Sequence, residues 1–441
     1  MDVELQILKH LPRDAQPTVS FIDKYCNDYK DLFPEVRSYE CFKYLHLGII
    51  STIKRKSLPE IAKVVGLKSA QSLHHFLAQS PWVAAELRKR RLAKTLSLLK
   101  GNSITVVIDE TGDRKKGKRT DYVARQYLGS IGKIDQGIVS VNAYGIYQKI
   151  TFPLSFRVFK PEGRLKTGEQ YFTKIELAIE IIKELIEFGF KIELVLADSL
   201  YGESSSFIRT LDKYNLPWIV AIRSNHGVRM PDQQKVRANK WHKFQRLFSN
   251  QTSETRYIRE IIFGKRSSRT YWEITTDPKT LPENSTSFVM TNFKGNIKKT
   301  LGNLYGLRTW VEYGFRQCKQ ELGWHDYRLT NFSNIEKWWE IIFSVYLMIS
   351  LNSQAFGLLT QSHPRDSESQ SLRADFSIHQ QWNHEVGWKN ALNNLRLIIQ
   401  PTILLWLISP WLDIFPNPYL LLGFHDLIYA MNEFQPYFPD G

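Results

Sequence analysis

Residues 301–322 form a helix-sized stretch with side chains that could bind a metal ion and phosphate groups. Charged and phenolic residues recur there at steps of three and four, which places them on one side of a helix. They are Tyr305, Arg308, Glu312, Arg316 and Lys319. An apolar stripe of the same spacing would seat the helix on a core: Leu304, Leu307, Val311, Phe315, Cys318 and Leu322. A carboxylate among cations beside a buried face suits metal and phosphate chemistry, and a solvated charged face is the simpler alternative.

Two aspartates each follow an apolar run that predicts a strand. Asp109 closes the run SITVVID, and Asp198 closes the run IELVLAD. A strand end can hold a carboxylate at the rim of a sheet, and carboxylates from separate elements can converge there to bind two Mg²⁺ ions. An aspartate in this position is also a common turn residue or helix cap. Glu110 and Asp113 remain close rivals to Asp109.

The order of the residues in the helical stretch resembles a known signature. The spacing of Tyr305, Arg308, Glu312 and Lys319 is similar to the Tyr-Arg-Glu-Lys signature of DDE transposases from bacterial insertion sequences. The runs DETGDRKKGKR and ADSLYG precede it in the order and context of that family. The resemblance covers about residues 100–350 and includes relatives of the hairpin-forming, cut-and-paste kind.

The resemblance implies a metal-dependent enzyme and assigns roles to particular residues. The catalytic and metal-binding residues would be Asp109, Asp198 and Glu312. They would hold two Mg²⁺ ions, for which Mn²⁺ can substitute. The residues that hold the phosphates of the transposon end would be Tyr305, Arg308 and Lys319. Glu110 stands where the nearest relatives carry a second aspartate, so the role of residue 110 is open.

Composition indicates a folded protein with a polyanionic partner. The chain has 441 residues, 43% of them hydrophobic, and carries a formal charge of +15. Such a length predicts about two to four domains, and such a charge favours a polyanionic partner. Three dispersed cysteines indicate a reducing compartment, and the N-terminal sequence lacks the pattern of a signal peptide. We expect a cytoplasmic, nucleoid-associated bacterial protein.

Residues 1–100 predict an all-helical DNA-binding domain. Ser57 and Glu60 have the spacing of a capping box, Gly66 can end that helix, and Ser69 can cap a second one. Helix, glycine turn and helix in a basic region predict a helix-turn-helix. Its exposed DNA-reading residues would be Gln71, Ser72, His74 and His75. An ordinary helical hairpin with a solvated basic face is an equal alternative.

The following segments predict an α/β fold with a mixed sheet. Apolar runs and glycine turns give the order βββαβαβ, which is that of the ribonuclease-H-like fold. Residues 101–222 and 299–358 would form this core. Residues 223–298 would form a basic, β-rich insertion. Residues 359–441 would form a linker and a helical C-terminal region with a possible dimer contact.

Two further features of the core and insertion suggest DNA contacts. A basic run follows Asp109 and would meet backbone phosphates, although such runs are often solvated loops: Arg114, Lys115, Lys116, Lys118 and Arg119. Hairpin-forming relatives flip a base out of the duplex and stack it on an aromatic side chain. Trp241 and Trp272 in the insertion are candidates, and a core position is the alternative for either.

Two apolar runs raise the question of a membrane span. Residues 335–356 contain Glu336, Lys337 and Glu340, so we expect a buried helix packed on the sheet. Pro401 and Pro410 break the second run, LIIQPTILLWLISPWL, which therefore looks too short for a span. We expect helix packing or a subunit contact there, and no membrane partner.

The sequence thus predicts a DDE transposase that acts on double-stranded DNA. It would bind terminal inverted repeats as a homodimer, cut both strands and join the 3′ ends to target DNA. The relatives it resembles imply that the cutting passes through a hairpin. A related metal-dependent nuclease without strand transfer is the first alternative. A non-enzymatic DNA-binding protein derived from a transposase is the second.

Overall fold

The structure is a computed structural model in which two compact units are distinguished. It describes residues 13–117, 119–148, 150–228, 230, 232–248, 252–264, 268–352 and 387–433. The first unit comprises Met1–Arg91 and Gln317–Gly441, and the second comprises Leu92–Arg316. We call them the helical unit and the sheet unit after their main elements.

The helical unit is built from helices that precede the sheet unit in sequence and helices that follow it. They are α1 (Ser20–Asn27), α2 (Val36–Ile50), α3 (Leu58–Val64), α4 (Gln71–Ala78), the first half of α5 (Ala84–Leu99), α11 (Phe332–Asn352), α12 (Trp388–Leu412) and α13 (Pro418–Glu433). A π-helical turn, Gln317–Glu321, opens the C-terminal part of the unit.

The central helix of this unit is α11, which is buried along most of its length. Apolar residues lie on every side of it, so it can be covered on every side. It packs against α2, α4 and α12. The prediction of a buried helix is confirmed, and helices of its own unit cover it, whereas packing on the sheet stays a prediction.

The helix α12 corrects a second expectation. Pro401 and Pro410 both lie inside it, and the helix continues from Trp388 to Leu412 without ending at either. Among the described residues, α12 is one helix that is long and apolar enough to cross a membrane by length and composition alone. The expectation that this run is too short for a span was therefore wrong.

The candidate helix-turn-helix forms two helices with a different start from the predicted one. Gly66 adopts a φ of +72° after α3, as predicted. Ser57 precedes α3 but makes no side-chain cap, and Glu60 pairs with a lysine one turn further on. The predicted capping box is therefore not formed. Ala70, rather than Ser69, is the cap residue of α4.

In the described part of the sheet unit, eleven strands form one mixed sheet. They are β1 (Ile104–Arg114), β2 (Ala124–Leu128), β3 (Lys133–Tyr147), β4 (Ile150–Val158), β5 (Ile192–Ala197), β6 (Trp218–Ile222), β7 (Val236–Ala238), β8 (His242–Leu247), β9 (Ser253–Phe263), β10 (Thr270–Thr275) and β11 (Ser287–Thr291). The helices α6 (Lys174–Glu187), α7 (Ser199–Gly202) and α8 (Ser205–Lys213) connect the strands of its centre.

The centre of the sheet has the predicted ribonuclease-H-like order. The strand β3 pairs antiparallel with β1 and β4, and β1 pairs parallel with β5, which pairs parallel with β6. The antiparallel part follows from short turns, and the parallel part from the helical crossovers. The predicted fold class is confirmed.

The β-rich insertion extends the same sheet. The strand β11 pairs with β6, and β10, β9 and β7 follow it in order, with β8 also on β9. The inserted strands are thereby anchored to the central strands by a continuous hydrogen-bond ladder.

The stretch predicted as one helix changes its helical type along its length. It consists of α9 (Leu301–Gly306), a 3₁₀ turn (Leu307–Thr309), α10 (Trp310–Arg316) and the π-helical turn (Gln317–Glu321). Glycines let it pack closely on its neighbours: a Cβ on Gly314 would lie 2.6 Å from the Tyr144 ring, and one on Gly302 would lie 2.4 Å from the Phe244 ring. The prediction of a regular helix was wrong in this respect.

Candidate active site

Asp109 lies inside β1, at the point where one neighbouring strand ends. The pairing of β1 with β5 runs as far as Ile108, opposite Ala197. The pairing with β3 continues through Asp109 to Arg114, opposite Gly137. The prediction that β1 ends at Asp109 was wrong, because the antiparallel partner extends the strand. Asp109 nevertheless lies at the edge where the parallel ladder stops.

Asp198 is the residue that directly follows β5, as predicted. Because Ile108 pairs with Ala197, Asp109 and Asp198 are the next residues on two adjacent parallel strands. The Asp198 side chain accepts a hydrogen bond from the Leu200 backbone N–H at 2.9 Å and caps α7. Asp198 therefore acts as a helix cap and also lies beside Asp109.

The helix α10 presents Glu312 toward the same place through an intervening arginine. The distance from Arg308 Nη1 to Asp109 Oδ2 is 3.5 Å, and that from Arg308 Nη2 to Glu312 Oε1 is also 3.5 Å. The Glu312 side chain is 56% exposed, whereas that of Asp109 is 13% exposed. Tyr305 is close enough for the Arg308 charge to act on it, although burial keeps its pKa above the usual value. The structure thus brings two of the predicted carboxylates to one guanidinium.

The electrostatics of the cluster favour additional cations. The pKa of Asp109 is raised to about 7, mainly by burial and also by the charges of Asp198 and Glu312, while Arg308 acts to lower it. Three carboxyl groups therefore share the charge of one guanidinium. Carboxylate oxygens are the ligands that Mg²⁺ prefers, so the chemistry of these donors fits a divalent ion. Within the described residues, no three His, Cys, Asp or Glu side chains are close enough together to hold a metal ion as they stand.

The rivals of Asp109 have other surroundings. Successive residues of a strand point to opposite faces, so Glu110 and Asp109 lie on opposite sides of the sheet. Glu110 pairs with Lys174 Nζ at 2.7 Å, at the start of α6. Its backbone N–H donates to Asp109 Oδ1 at 2.8 Å, which orients that carboxyl group. Asp113 is buried further along β1.

One arginine of this region was missed by the sequence reasoning. Arg246 on β8 donates from Nη2 to Thr309 Oγ1 at 3.1 Å, in the turn between α9 and α10. Burial lowers its pKa, and the charges of Tyr305 and Arg308 also act on it. The strand sequence HKFQRL alternates in burial, with Arg246 on the inner side. An arginine at an inward position of an alternating strand was the signal that could have found it.

The remaining predicted phosphate contacts are more exposed. Arg316 is exposed, with its guanidinium 5.6 Å from the Tyr313 ring centroid. Lys319 lies on the π-helical turn that belongs to the helical unit and is half-buried. Lys115 is half-buried just after β1, and Lys116 is exposed. Lys118 lies outside the described residues.

The predicted DNA-reading residues lie on the exposed side of α4. Gln71, Ser72, His74 and His75 are all exposed, whereas Leu73 between them is fully buried. Their exposure is confirmed, and their contact with DNA stays a prediction.

The two candidate tryptophans differ in their surroundings. Trp241 is half-buried, with the Arg259 guanidinium 4.3 Å from its ring centroid. Trp272 on β10 is 5% exposed, and its Nε1 donates to Thr270 Oγ1 at 2.8 Å. Trp272 also lines a cavity of about 470 Å³, together with residues that include Phe293, Lys294 and Lys298.

This fold and cluster of acids define the class of protein, and known families match it. Residues 31–251 match the family described as DDE superfamily endonuclease, and residues 173–348 match the family described as transposase DDE domain. The chain belongs to the DDE superfamily of endonucleases and transposases. It is 57% identical over 326 residues to the probable transposase for insertion sequence element IS701 of Microchaete diplosiphon. The similar region covers 74% of this chain and 86% of that protein.

Proposed function

We propose that the protein is a transposase that cuts and joins DNA at the ends of its own insertion sequence. It binds the terminal inverted repeats, cleaves the phosphodiester bonds there and joins the 3′ hydroxyl ends to target DNA. The observation that carries this proposal is that Arg308 lies 3.5 Å from both Asp109 and Glu312, with Asp198 beside Asp109 at one edge of a ribonuclease-H-like sheet.

The proposed metal-binding residues are Asp109, Asp198 and Glu312. Two Mg²⁺ or Mn²⁺ ions bound there would activate the attacking water or 3′ hydroxyl and stabilise the leaving oxygen. The backbone N–H of residue 110 holds Asp109 Oδ1, so Oδ2 remains directed at the cluster. Glu312 is exposed and can move on its helix toward the two aspartates.

The proposed DNA contacts come from both units of the chain. In the sheet unit, the residues that would bind phosphates are Tyr305, Arg308, Arg316, Lys115 and Lys116. In the helical unit, they are Lys319 and the exposed residues Gln71 and His74 of α4. Contacts of this kind neutralise phosphates and make binding fall steeply with salt. They also suit the nucleoid as the location of the protein in the cell.

Cleavage through a hairpin has support from the cavity beside Trp272. A flipped base needs an aromatic face and a pocket, and Lys294 and Lys298 add positive charge to this one. Because Trp272 is already packed in β10, the cavity, rather than free rotation of the ring, would admit the base. Trp241 is the second candidate, although Arg259 already covers its ring.

Two transposon ends must be brought together, so we propose a homodimer in the DNA complex. The C-terminal helices α12 and α13 offer a surface for it. Large apolar side chains are exposed on these helices and on the link between them: Leu407, Trp411, Ile414, Phe415, Tyr419 and Leu422. Exposed apolar patches of this kind mark interaction sites. Light scattering measures the mass of the protein–DNA complex. A mass that corresponds to one protein chain for each pair of ends would contradict the proposed dimer.

The deciding experiment is Mg²⁺-dependent cleavage of a labelled duplex that carries the terminal sequence of the element. We expect cleavage by the wild type and none by Glu312→Gln, with binding of the duplex retained, because the substitution keeps the size and removes the charge. A denaturing gel of the same reaction reports a hairpin as a product of twice the strand length. Equal cleavage by both proteins would contradict the assignment of Glu312.

A metal-dependent nuclease without strand transfer remains the second candidate, since the family includes endonucleases. Pre-cleaved ends with free 3′ hydroxyls and a target plasmid distinguish the two. Joined products support the transposase, and their absence beside active cleavage supports the nuclease.

A further inference from the structure

Arg308 lies between two of the proposed metal-binding carboxylates. Its two terminal nitrogens are 3.5 Å from Asp109 Oδ2 and 3.5 Å from Glu312 Oε1. The side chain is only 21% exposed, and the charge of Asp198 also acts on it. One guanidinium thus contacts oxygens of the same carboxylates that a divalent ion would use.

A guanidinium in this position and a divalent ion oppose each other. Both are cations that need the carboxylate oxygens, and like charges repel strongly where water is partly excluded. Arginine keeps its charge in proteins, so Arg308 cannot leave by losing a proton. The side chain must instead rotate toward another anionic acceptor.

We propose that Arg308 makes metal binding depend on DNA. A phosphate group offers a bidentate partner for a guanidinium. A bound DNA end would therefore draw Arg308 away from Asp109 and Glu312 and release their oxygens for the metal. The protein would then carry an active metal centre only when a DNA end is present. The inference rests on the proposed metal site and adds an order to its assembly.

Linkage makes the coupling reciprocal. If DNA tightens metal binding by releasing the carboxylates, metal must tighten DNA binding by the same factor. Both effects pass through one side chain, so both should weaken when Arg308 loses its charge. This distinguishes the proposal from a metal that only bridges protein and DNA.

The test measures Mn²⁺ binding without DNA, from the electron paramagnetic resonance signal of free Mn²⁺. We expect Arg308→Gln to bind Mn²⁺ about tenfold more tightly than the wild type, within the usual range of coupled sites. The matched control is Arg157→Gln, which removes the same charge from an ion pair with Glu184 of 2.7 Å elsewhere in the sheet unit. This control should bind Mn²⁺ like the wild type.

Addition of the end duplex completes the test. The Mn²⁺ affinity of the wild type should rise toward that of Arg308→Gln, whose own affinity should change little. Equal or weaker Mn²⁺ binding by Arg308→Gln in the absence of DNA would overturn the inference. The double variant Asp109→Asn with Arg308→Gln separates the two proposals, because tight binding that survives in it would mean that the ion binds elsewhere and that the proposed metal site itself fails.

Discussion

Two groups of buried charges, one in each unit, differ in balance and in distance. In the helical unit, Glu340 is fully buried and contacts Arg88 at 2.5 Å and Arg91 at 3.0 Å, and Arg88 also contacts Glu336 at 2.8 Å. Two acids meet two guanidinium groups at short distances. In the sheet unit, three acids share Arg308, and its closest contacts to them are 3.5 Å long.

The difference separates a structural cluster from a functional one. A balanced buried cluster with short contacts is complete, and removal of one partner leaves a charge without compensation. A cluster with excess acid and long contacts carries an electrostatic cost that added cations would relieve. Substitutions in the two clusters should therefore change the free energy of unfolding in opposite directions.

The largest effect is expected at Glu340. Glu340→Gln leaves Arg88 and Arg91 buried with less negative charge, so it should lower the free energy of unfolding by about 3 to 5 kcal/mol. The matched control is Glu336→Gln, whose side chain is 29% exposed and whose loss should cost about 1 kcal/mol or less. Urea unfolding of both variants measures the difference. Similar small losses in both would show that the balanced cluster does not stabilise the helical unit.

The opposite sign is expected at Asp109, and it should depend on pH. The pKa of Asp109 in the native state is raised to about 7, whereas an aspartate in the unfolded state has a pKa of about 3.9. Between these values the native state binds a proton that the unfolded state lacks, so this group's contribution to stability falls as the pH rises. Asp109→Asn should therefore be more stable than the wild type by about 2 to 4 kcal/mol at pH 8 without metal, and the gain should fade toward about pH 4.

Urea unfolding in a chelator at several pH values measures this gain, and the cleavage assay shows its functional cost. The variant should be more stable but inactive, because the buried carboxylate that destabilises the wild type is also the one proposed to bind the metal ions. If Asp109→Asn were less stable than the wild type at pH 8, the claim that substitutions in the two clusters change stability in opposite directions would be wrong.

The sequence predicted the parts of this comparison that depend on local patterns. Apolar runs and helical spacing placed Asp109, Asp198 and Glu312 on the elements where the structure has them. The bridging position of Arg308 and the inward position of Arg246 depend on how strands and helices pack. The spacing of residues in the sequence does not predict that packing. The helix that carries Glu340 was predicted to be buried, but the partners of Glu340, Arg88 and Arg91, lie about 250 residues away in the chain and were not predicted.

Errors of the sequence reasoning have local physical causes. The run after Asp109 stays in a strand because β3 pairs with it as far as Arg114. The predicted helix of residues 301–322 changes type along its length, and two of its glycines lie against the rings of Tyr144 and Phe244. The extension of β1 was decided by a neighbouring strand, whereas the capping residues and turns were judged from the chain alone.

The smallest effect is expected at two buried tyrosines, which extend the comparison from charges to hydroxyl groups. Tyr201, in the sheet unit near the charges of Glu110, Asp109 and Asp198, is fully buried, and its hydroxyl has no hydrogen-bond partner among the described residues. Tyr25 in the helical unit donates to the Ser344 backbone oxygen at 2.9 Å. Tyr201→Phe should leave the free energy of unfolding unchanged or raise it by up to about 1 kcal/mol, and Tyr25→Phe should lower it by about 1 to 2 kcal/mol.

The pair is well matched, because both substitutions remove one oxygen from a buried ring and leave its packing unchanged. Thermal or urea unfolding of the two variants without metal gives the two signs directly. A loss at Tyr201 as large as that at Tyr25 would mean that the hydroxyl is satisfied in solution. The two units would then differ only in their buried charges, that is, in the carboxylates around Arg308, and not in the hydrogen bonding of their buried hydroxyl groups.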